Sequence, residues 1–139
     1  MNSEFELDVK YVLDGWKYRI EHKKDLDELK YSTYNDGNKK ISFYDTPLDS
    51  SDYVTTILLI NDEVIGFCYY QLQNRKGKKV YMIGKITIDL KHRRKGYSLL
   101  IQKHINEIFP EYDFFYTNLN MSALGELAFK KNKDYIKYI

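Results

Sequence analysis

One segment of this sequence gathers residue types that could bind a charged ligand. The apolar residues Ile86 and Ile88 precede a basic run at positions 91–95, and Gly96 follows that run. If Ile88 closes a strand and Gly96 opens a helix, the first helical amides lack intrahelical partners, and the helix dipole adds about half a positive charge there. Gly96 would let an anion approach the backbone without a Cβ in the way. This arrangement predicts an anion site.

The cations of the run make a diphosphate a better fit than a single carboxylate. Arg93, Arg94 and Lys95 can supply charge-assisted hydrogen bonds to phosphate oxygens. The segment lacks the glycine spacing of a P-loop and the three glycines of a dinucleotide-binding fingerprint. Because a basic run alone is more often a solvated loop, the neighbouring elements decide its meaning.

The flanking sequence predicts a strand before the run and a helix after it. Residues 54–60, 64–73 and 80–89 are expected to form an antiparallel meander. Gly84 in the third strand indicates either a bulge, where the side-chain parity would switch, or a close approach of the backbone. Residues 96–109 are expected to form an amphipathic helix that stops at Pro110. Its apolar stripe consists of Leu100, Ile101, His104, Ile105 and Ile108.

The remaining elements complete an α/β prediction. Alternation predicts strands at 5–13 and 16–20 around an Asp14–Gly15 turn. Asp25 is expected to cap the start of a helix, and the polar stretch 34–52 is expected to form a long loop. The last part is expected to contain two strands around one helix, at 114–118, 122–131 and 135–139. The predicted fold class is α/β (α+β): a single domain, residues 1–139, with a mixed, mostly antiparallel sheet and flanking helices in the order β-β-α-β-β-β-α-β-α-β.

Composition excludes several classes of protein. The 139 residues suit one domain, and the lone Cys68 excludes a disulfide framework and a cysteine-based zinc site. Three scattered histidines, His22, His92 and His104, argue against a metal centre. No apolar run approaches the roughly 20 residues of a membrane span, and the acidic, polar start does not resemble a secretion signal, so a cytoplasmic protein without membrane association is expected.

The net charge of +2 conceals an uneven distribution. Up to Leu90 there are 13 basic and 15 acidic residues, and after it there are 9 basic and 5 acidic ones. The total argues against a general polyanion binder, so nucleic acid is an unlikely partner, while the local basic site remains.

The run Arg93-Arg94-Lys95-Gly96-Tyr97-Ser98 resembles the Gln/Arg-x-x-Gly-x-Gly/Ala loop of the GCN5-related N-acetyltransferase (GNAT) superfamily, which binds the pyrophosphate of acetyl-CoA. The strand before it, the helix after it and the later strand–helix–strand follow the family's order. The resemblance covers roughly residues 16–139 and is specific only after position 80. It implies a GNAT-like fold, acetyl-CoA as co-substrate and no metal.

The resemblance also implies site residues. Backbone groups around Ile86, Thr87 and Ile88 would pair with the pantetheine arm, and the amides from Arg93 to Ser98 would hold the pyrophosphate. Asn120 and Ser122 are candidates for the position of a family Asn near the thioester. Phe129 falls at the position of the usual acid Tyr but has no hydroxyl, and Tyr97 and Tyr135 are alternative donors. No Glu occupies the strand where many relatives place a base, so the polar choices there are Tyr81, Lys85, Thr87 and Asp89.

The function implied by the resemblance is acetyl transfer from acetyl-CoA to an amine of a small molecule or a protein by direct attack. Four acids in or near the predicted loop suggest a cationic acceptor: Asp36, Asp45, Asp49 and Asp52. The missing Glu and Tyr leave open a catalytically degenerate module that binds CoA or a partner protein. A nucleic-acid binder using the basic run and surface tyrosines is a third possibility. The family's seventh strand would be missing or donated by a partner, which makes a homodimer possible.

Overall fold

The computed structural model describes residues 4–47 and 52–115, in which six strands form one sheet between two helices. The helices and strands run in the order α1 Glu4–Glu21, β1 Lys30–Asp36, β2 Lys39–Asp45, β3 Tyr53–Ile60, β4 Glu63–Arg75, β5 Lys78–Ile88, α2 Tyr97–Ile108 and β6 Asp113–Phe115. Short 3-10 turns occupy Leu26–Glu28 and Leu90–His92. The predicted class, a mixed and mostly antiparallel sheet with flanking helices, is confirmed.

The spatial order of the strands follows the chain. The first five strands are paired antiparallel to their neighbours. Strand β6 is parallel to β5, and their described register runs from Val80 opposite Asp113 to Met82 opposite Phe115. Helix α2 makes the crossover that a parallel pair requires. The predicted meander corresponds to β3, β4 and β5, and the predicted amphipathic helix corresponds to α2.

Each face of the sheet packs against one helix. On the α2 side the core includes Phe43, Leu58, Tyr70, Ile101 and Ile105. On the α1 side a smaller core is formed by Leu13, Ile57, Leu59, Val64 and Phe67, with Trp16, Ile20 and Tyr44 packed against it. The two-sided burial explains why β3 is apolar along most of its length.

The bulge expected at Gly84 is confirmed. Tyr69 pairs with Lys85 whereas the next residue, Tyr70, pairs with Ile83, so Gly84 is the extra residue. As a result Tyr81 and Ile83 before the bulge, and Ile88 after it, all join the α2-side core, with Ile86 packed against it. The bulge thereby switches the parity of the strand, as the sequence predicted.

The prediction for residues 5–20 was wrong, because they form helix α1 and not a hairpin. Leu13, Trp16 and Ile20 are spaced at helical intervals and pack on the sheet. This packing outweighs the turn preference of Asp14–Gly15, since most helix stability in proteins comes from tertiary contacts. Among the described residues the order therefore begins α-β-β and not β-β-α.

The loop predicted at 34–52 was also wrong, because most of its described part belongs to the β1–β2 hairpin. Strand β1 is an edge strand whose residues are exposed or half-buried, so it lacks apolar alternation. The turn is made at Gly37, where φ is +61°. The helix expected after Asp25 is one 3-10 turn, and Asp25 makes no side-chain capping bond.

Several predictions fall outside the described residues. The helix at 122–131, the strand at 135–139, and Asn120, Ser122 and Phe129 lie there. The strand expected from Phe114 is described only as far as Phe115.

A polar network crosses the core beneath α2. His104 Nε2 lies 2.7 Å from Asp45 Oδ2, and the ring of His104 stacks on Phe43 at 3.8 Å. The other Asp45 oxygen accepts a bond from Thr56 Oγ1 at 2.5 Å, and Thr56 is 3.2 Å from the Tyr70 hydroxyl. Asp45 and His104 are both buried, and His104 and Thr56 together provide the polar partners of the two Asp45 carboxylate oxygens.

Replacing His104→Ala is expected to destabilise the fold by about 3 kcal/mol, because it removes one of the two polar partners of the buried Asp45 carboxyl and the ring that stacks on Phe43. Urea unfolding of both proteins measures the difference. His22→Ala is the matched control, since His22 is exposed, and its cost should stay below about 0.5 kcal/mol. A loss below about 1 kcal/mol for His104→Ala would contradict a structural role of the pair.

Candidate functional site

The predicted anion site is built where β5 passes into α2. The strand ends at Ile88, the chain makes the 3-10 turn Leu90–His92, and α2 begins at Tyr97 with Gly96 as its N-cap. Gly96 has φ +80° and Arg94 has φ +66°, so two residues of this short loop have left-handed backbone. This conformation favours glycine at 96, and a Cβ there would meet no atom within 4 Å.

The first amides of α2 are suited to bind an anion. Gly96 has no side chain, so no side-chain bond caps the helix, and the first intrahelical bond runs from the Leu100 amide to the Gly96 carbonyl at 3.2 Å. The amides of Tyr97, Ser98 and Leu99 precede that bond and have no carbonyl four residues back within the helix. They are the donors that an anion at this helix end would use.

The three cations of the loop differ in their surroundings. Arg94 and Lys95 are exposed, whereas Arg93 is half-buried and donates a 3.1 Å bond from Nε to the Ile88 carbonyl. Arg93 therefore braces the end of β5, while Arg94 and Lys95 supply solvent-accessible positive charge.

Tyr97 anchors the start of α2. Its buried side chain lies in the α2-side core, and its hydroxyl accepts a 3.2 Å bond from Lys39 Nζ. His92 lies beside it, with ring centroids 6.4 Å apart, and 3.7 Å from a Glu63 carboxylate oxygen. The tyrosine ring thus holds the helix on the sheet.

The strand before the loop is held close to its neighbour. Ile88 and Thr87 are buried and Ile86 is half-buried, and all three pair with β4. A Cβ on Gly66 would lie 2.7 Å from the Thr87 carbonyl oxygen and 2.6 Å from the Ile88 side chain. Gly66 therefore permits the close approach of β4 to the end of β5.

Asp89, a predicted catalytic residue, connects this loop to helix α1. Its Oδ2 accepts a 2.9 Å bond from Lys17 Nζ, and its Oδ1 is 3.4 Å from the Lys91 amide. Burial alone would raise the pKa of Asp89, but the hydrogen bond and charge of Lys17, with Lys91, hold it below its usual value. A carboxylate with a lowered pKa is a weak base, so this contact favours a positioning role.

Tyr81, also predicted to be catalytic, lies in the core against α2. Its hydroxyl donates a 2.6 Å bond to Asn106 Oδ1, and its ring stacks on Phe114 at 5.3 Å. Burial is the largest cause that raises the pKa of Tyr81 above its usual value. At neutral pH Tyr81 therefore stays protonated and cannot supply a phenolate base, and its raised pKa also makes the hydroxyl a weak acid.

A cavity of about 410 Å³ opens on the α1 side of the sheet. The described residues that line it come from α1, β3, β4 and β5: Trp16, Thr55, Phe67, Tyr69, Gly84 and Lys85. The bulge thus forms part of its wall, and the Tyr69 ring lies over Gly84, with Cδ1 3.2 Å from where a Cβ would be. A volume of this size suits a small ligand.

Sequence reasoning did not identify Trp16, Phe67 or Tyr69 as site residues. Trp16 was placed in a strand, and its role follows from helix α1 lying over β4 and β5. The one available signal was that Trp16 is the single tryptophan of the chain. Lys85 was named only as a polar choice for a base.

The described residues contain no group of three or more His, Cys, Asp or Glu side chains that could hold a metal ion. Neither helix of residues 4–47 and 52–115 has the length and apolar composition that crossing a membrane requires. The buried Cys68 has a pKa raised above its usual value by burial, so it is unsuited to act as a nucleophile.

Comparison with known proteins shows a likeness of fold. No protein-family model and no curated protein matches the sequence significantly. An aminoglycoside acetyltransferase from an uncultured soil metagenomic sample matches with a TM-score of 0.50 and 14% identity, over 63% of this chain and 60% of its own. The ribosomal-protein-alanine N-acetyltransferase of Brucella melitensis biovar Abortus 2308 matches at 0.47 and 14%, over 64% of each chain. The chain thus spans less than two thirds of the length of either protein.

The contact between Lys17 and Asp89 predicts a pH-dependent contribution to stability. The lowered pKa of Asp89 makes the contribution present above the unfolded value of about 4 and lost as pH falls through the folded value. The hydrogen bond to Asp89 raises the pKa of Lys17, so its contribution is lost as pH rises through that value, above about 10.

Lys17→Met should therefore lower the free energy of unfolding by about 1 kcal/mol at pH 7 and by much less at pH 2.5. Urea unfolding at the two pH values measures this. Lys40→Met, which removes the more exposed pair with Asp62, should cost less at pH 7. A cost for Lys17→Met that is equal at both pH values would contradict the ion pair.

Proposed function

We propose that this chain, which has the fold of the GCN5-related N-acetyltransferases, transfers an acetyl group from acetyl-CoA to an amine. The observation that supports the proposal is the junction of β5 and α2. There the fold brings a strand end, a glycine N-cap and exposed cations to one place. The activity, the acetyl donor and the amine all belong to the proposal.

The pyrophosphate of CoA would be bound at the start of α2. The amides of Tyr97 and Ser98 provide donors, and Arg94 and Lys95 provide positive charge at the solvent-exposed side. Arg93 has its Nε bonded to the Ile88 carbonyl, so its part is to fix the strand end beside the anion. This division of roles separates ligand contact from loop stability.

The pantetheine arm would extend from the loop along β5. Gly84 precedes Ile88 by four residues, which is about 13 Å in an extended strand. An arm that adds itself to the strand edge through Ile86, Thr87 and Ile88 would carry the thioester towards the bulge. The cavity adjoins this point through Gly84 and Lys85.

The reaction would be direct attack by the neutral amine on the thioester carbonyl. The nitrogen forms the new bond to the carbonyl carbon, the CoA sulfur departs as the thiol, and the amine loses a proton. Holding the two reactants together would supply much of the rate, and backbone amides at the bulge could polarise the carbonyl. The catalytic assignments to Asp89, Tyr81 and Phe129 stay predictions, as do the CoA contacts of Asn120 and Ser122.

Calorimetry with acetyl-CoA tests the first part of the proposal. Arg94→Ala combined with Lys95→Ala is expected to weaken binding at least tenfold, because two exposed cations near the pyrophosphate are lost. Lys76→Ala combined with Lys78→Ala is the matched control, since both residues are exposed at the other end of β5, and it should change the Kd less than twofold. No heat of binding at tens of micromolar acetyl-CoA, with folded protein, would overturn the proposal.

A second candidate, a module that binds CoA without turnover, is favoured by the contacts of Asp89 and Tyr81. Both groups are engaged, with Lys17 and Asn106 respectively. Release of CoA thiol in the presence of a panel of amines distinguishes the two functions. Steady release above the rate of acetyl-CoA hydrolysis is the expected result, and its absence with every amine, while CoA still binds, would favour the second candidate.

A further inference from the structure

The cavity beside the bulge has a distinctive aromatic wall. Trp16 from α1 and Phe67 and Tyr69 from β4 provide three rings among its described lining residues. Tyr69 is stacked on Tyr53 with centroids 5.1 Å apart and an interplanar angle of 6°. The Arg19 guanidinium lies 4.7 Å from the Trp16 ring centroid. These contacts hold the rings in place before a ligand binds, which favours a flat apolar partner.

The charge of the wall disfavours a polycation. Lys85 is a lining residue, and none of the described lining residues is acidic. On α1, the charge of Lys17 is balanced by Asp89, and Arg19 places one positive charge against the Trp16 ring. A nearby cation raises the free energy of a protonated amine, so it favours the neutral form that attacks a thioester.

Three of the four acids that suggested a cationic acceptor lie away from the lining of the cavity. Asp45 is buried on the α2 side and bonded to His104 and Thr56. Asp36 ends β1 at the hairpin turn, Asp52 precedes β3, and Asp49 lies outside the described residues. Asp36, Asp45 and Asp52 are not among the described residues that line the cavity.

We infer that the cavity binds an amine with a flat aromatic body and a single amino group, and that this amine is the acetyl acceptor. The inference rests on the proposed acetyltransferase function for the acceptor role, but the binding of an aromatic amine can be tested without it. Stacking between Trp16 and Tyr69 would orient the ring, and Lys85 at the bulge would disfavour protonation of the amino group. A base on β5 is then less necessary, which agrees with the missing Glu.

Because Trp16 is the single tryptophan, its fluorescence reports on the cavity directly. Titration with 2-phenylethylamine, which does not absorb at the excitation wavelength for tryptophan, should change the emission in a saturable way. Tyr69→Ala is expected to raise the Kd at least tenfold, and Tyr34→Ala, an exposed tyrosine on β1, should change it less than twofold. Thermal melting verifies that both variants are folded.

Acetylation assays with the same amine and with spermidine complete the test. We expect kcat/KM to be at least tenfold higher for 2-phenylethylamine. Lys85→Gln removes the nearby cation, so it should bring the two kcat/KM values closer together and shift the pH dependence of kcat to higher pH. Lys30→Gln on the distant β1 should change neither.

The outcomes separate this inference from the proposed function. No saturable fluorescence change, equal binding by the Tyr69→Ala variant, or faster acetylation of spermidine would each overturn the aromatic acceptor. Failure to bind acetyl-CoA would overturn the acetyltransferase, and the fluorescence titration would then still decide whether the cavity binds an aromatic amine.

Discussion

The pairing of β4 with β5 across the Gly84 bulge is the constraint on which the rest of this structure depends. The strand is buried against α2 before and after the bulge, because the extra residue restores the apolar face for Ile86 and Ile88. The same irregularity brings Lys85 and Gly84 to the cavity on the other side. Without it, a strict period of two would turn one half of the strand's apolar residues away from the α2-side core.

Helix α1 links the two parts of the candidate site. Trp16 lines the cavity, and the next residue, Lys17, is bonded to Asp89 at the end of β5. The aromatic wall of the cavity and the loop that follows β5 are therefore connected through two adjacent residues of α1. In the proposed reaction this connection would hold the acceptor and the acetyl donor in a fixed relation, which is where an enzyme of this kind gains rate.

The two faces of the sheet carry different kinds of interaction. On the α2 side, His104, Asp45, Thr56 and Tyr70 form a buried polar network within an apolar core, which favours one arrangement of the helix over others. On the α1 side, the core is smaller and opens into the cavity. The larger core thus lies on one face of the sheet, and the cavity proposed to bind a ligand lies on the other.

The sequence by itself determined the β3–β5 meander, helix α2 and the basic loop between β5 and α2, because each has a local signal: apolar alternation, a helical stripe, or a charge run before glycine. It could not determine helix α1, since residues 5–20 carry both alternation and a helical stripe, and burial of Leu13, Trp16 and Ile20 against the sheet decides between them. Strand β1 was missed because an exposed edge strand has no apolar period. Only the tertiary structure revealed the cavity and the partners of Asp89 and Tyr81, because those contacts join residues that are distant in the chain.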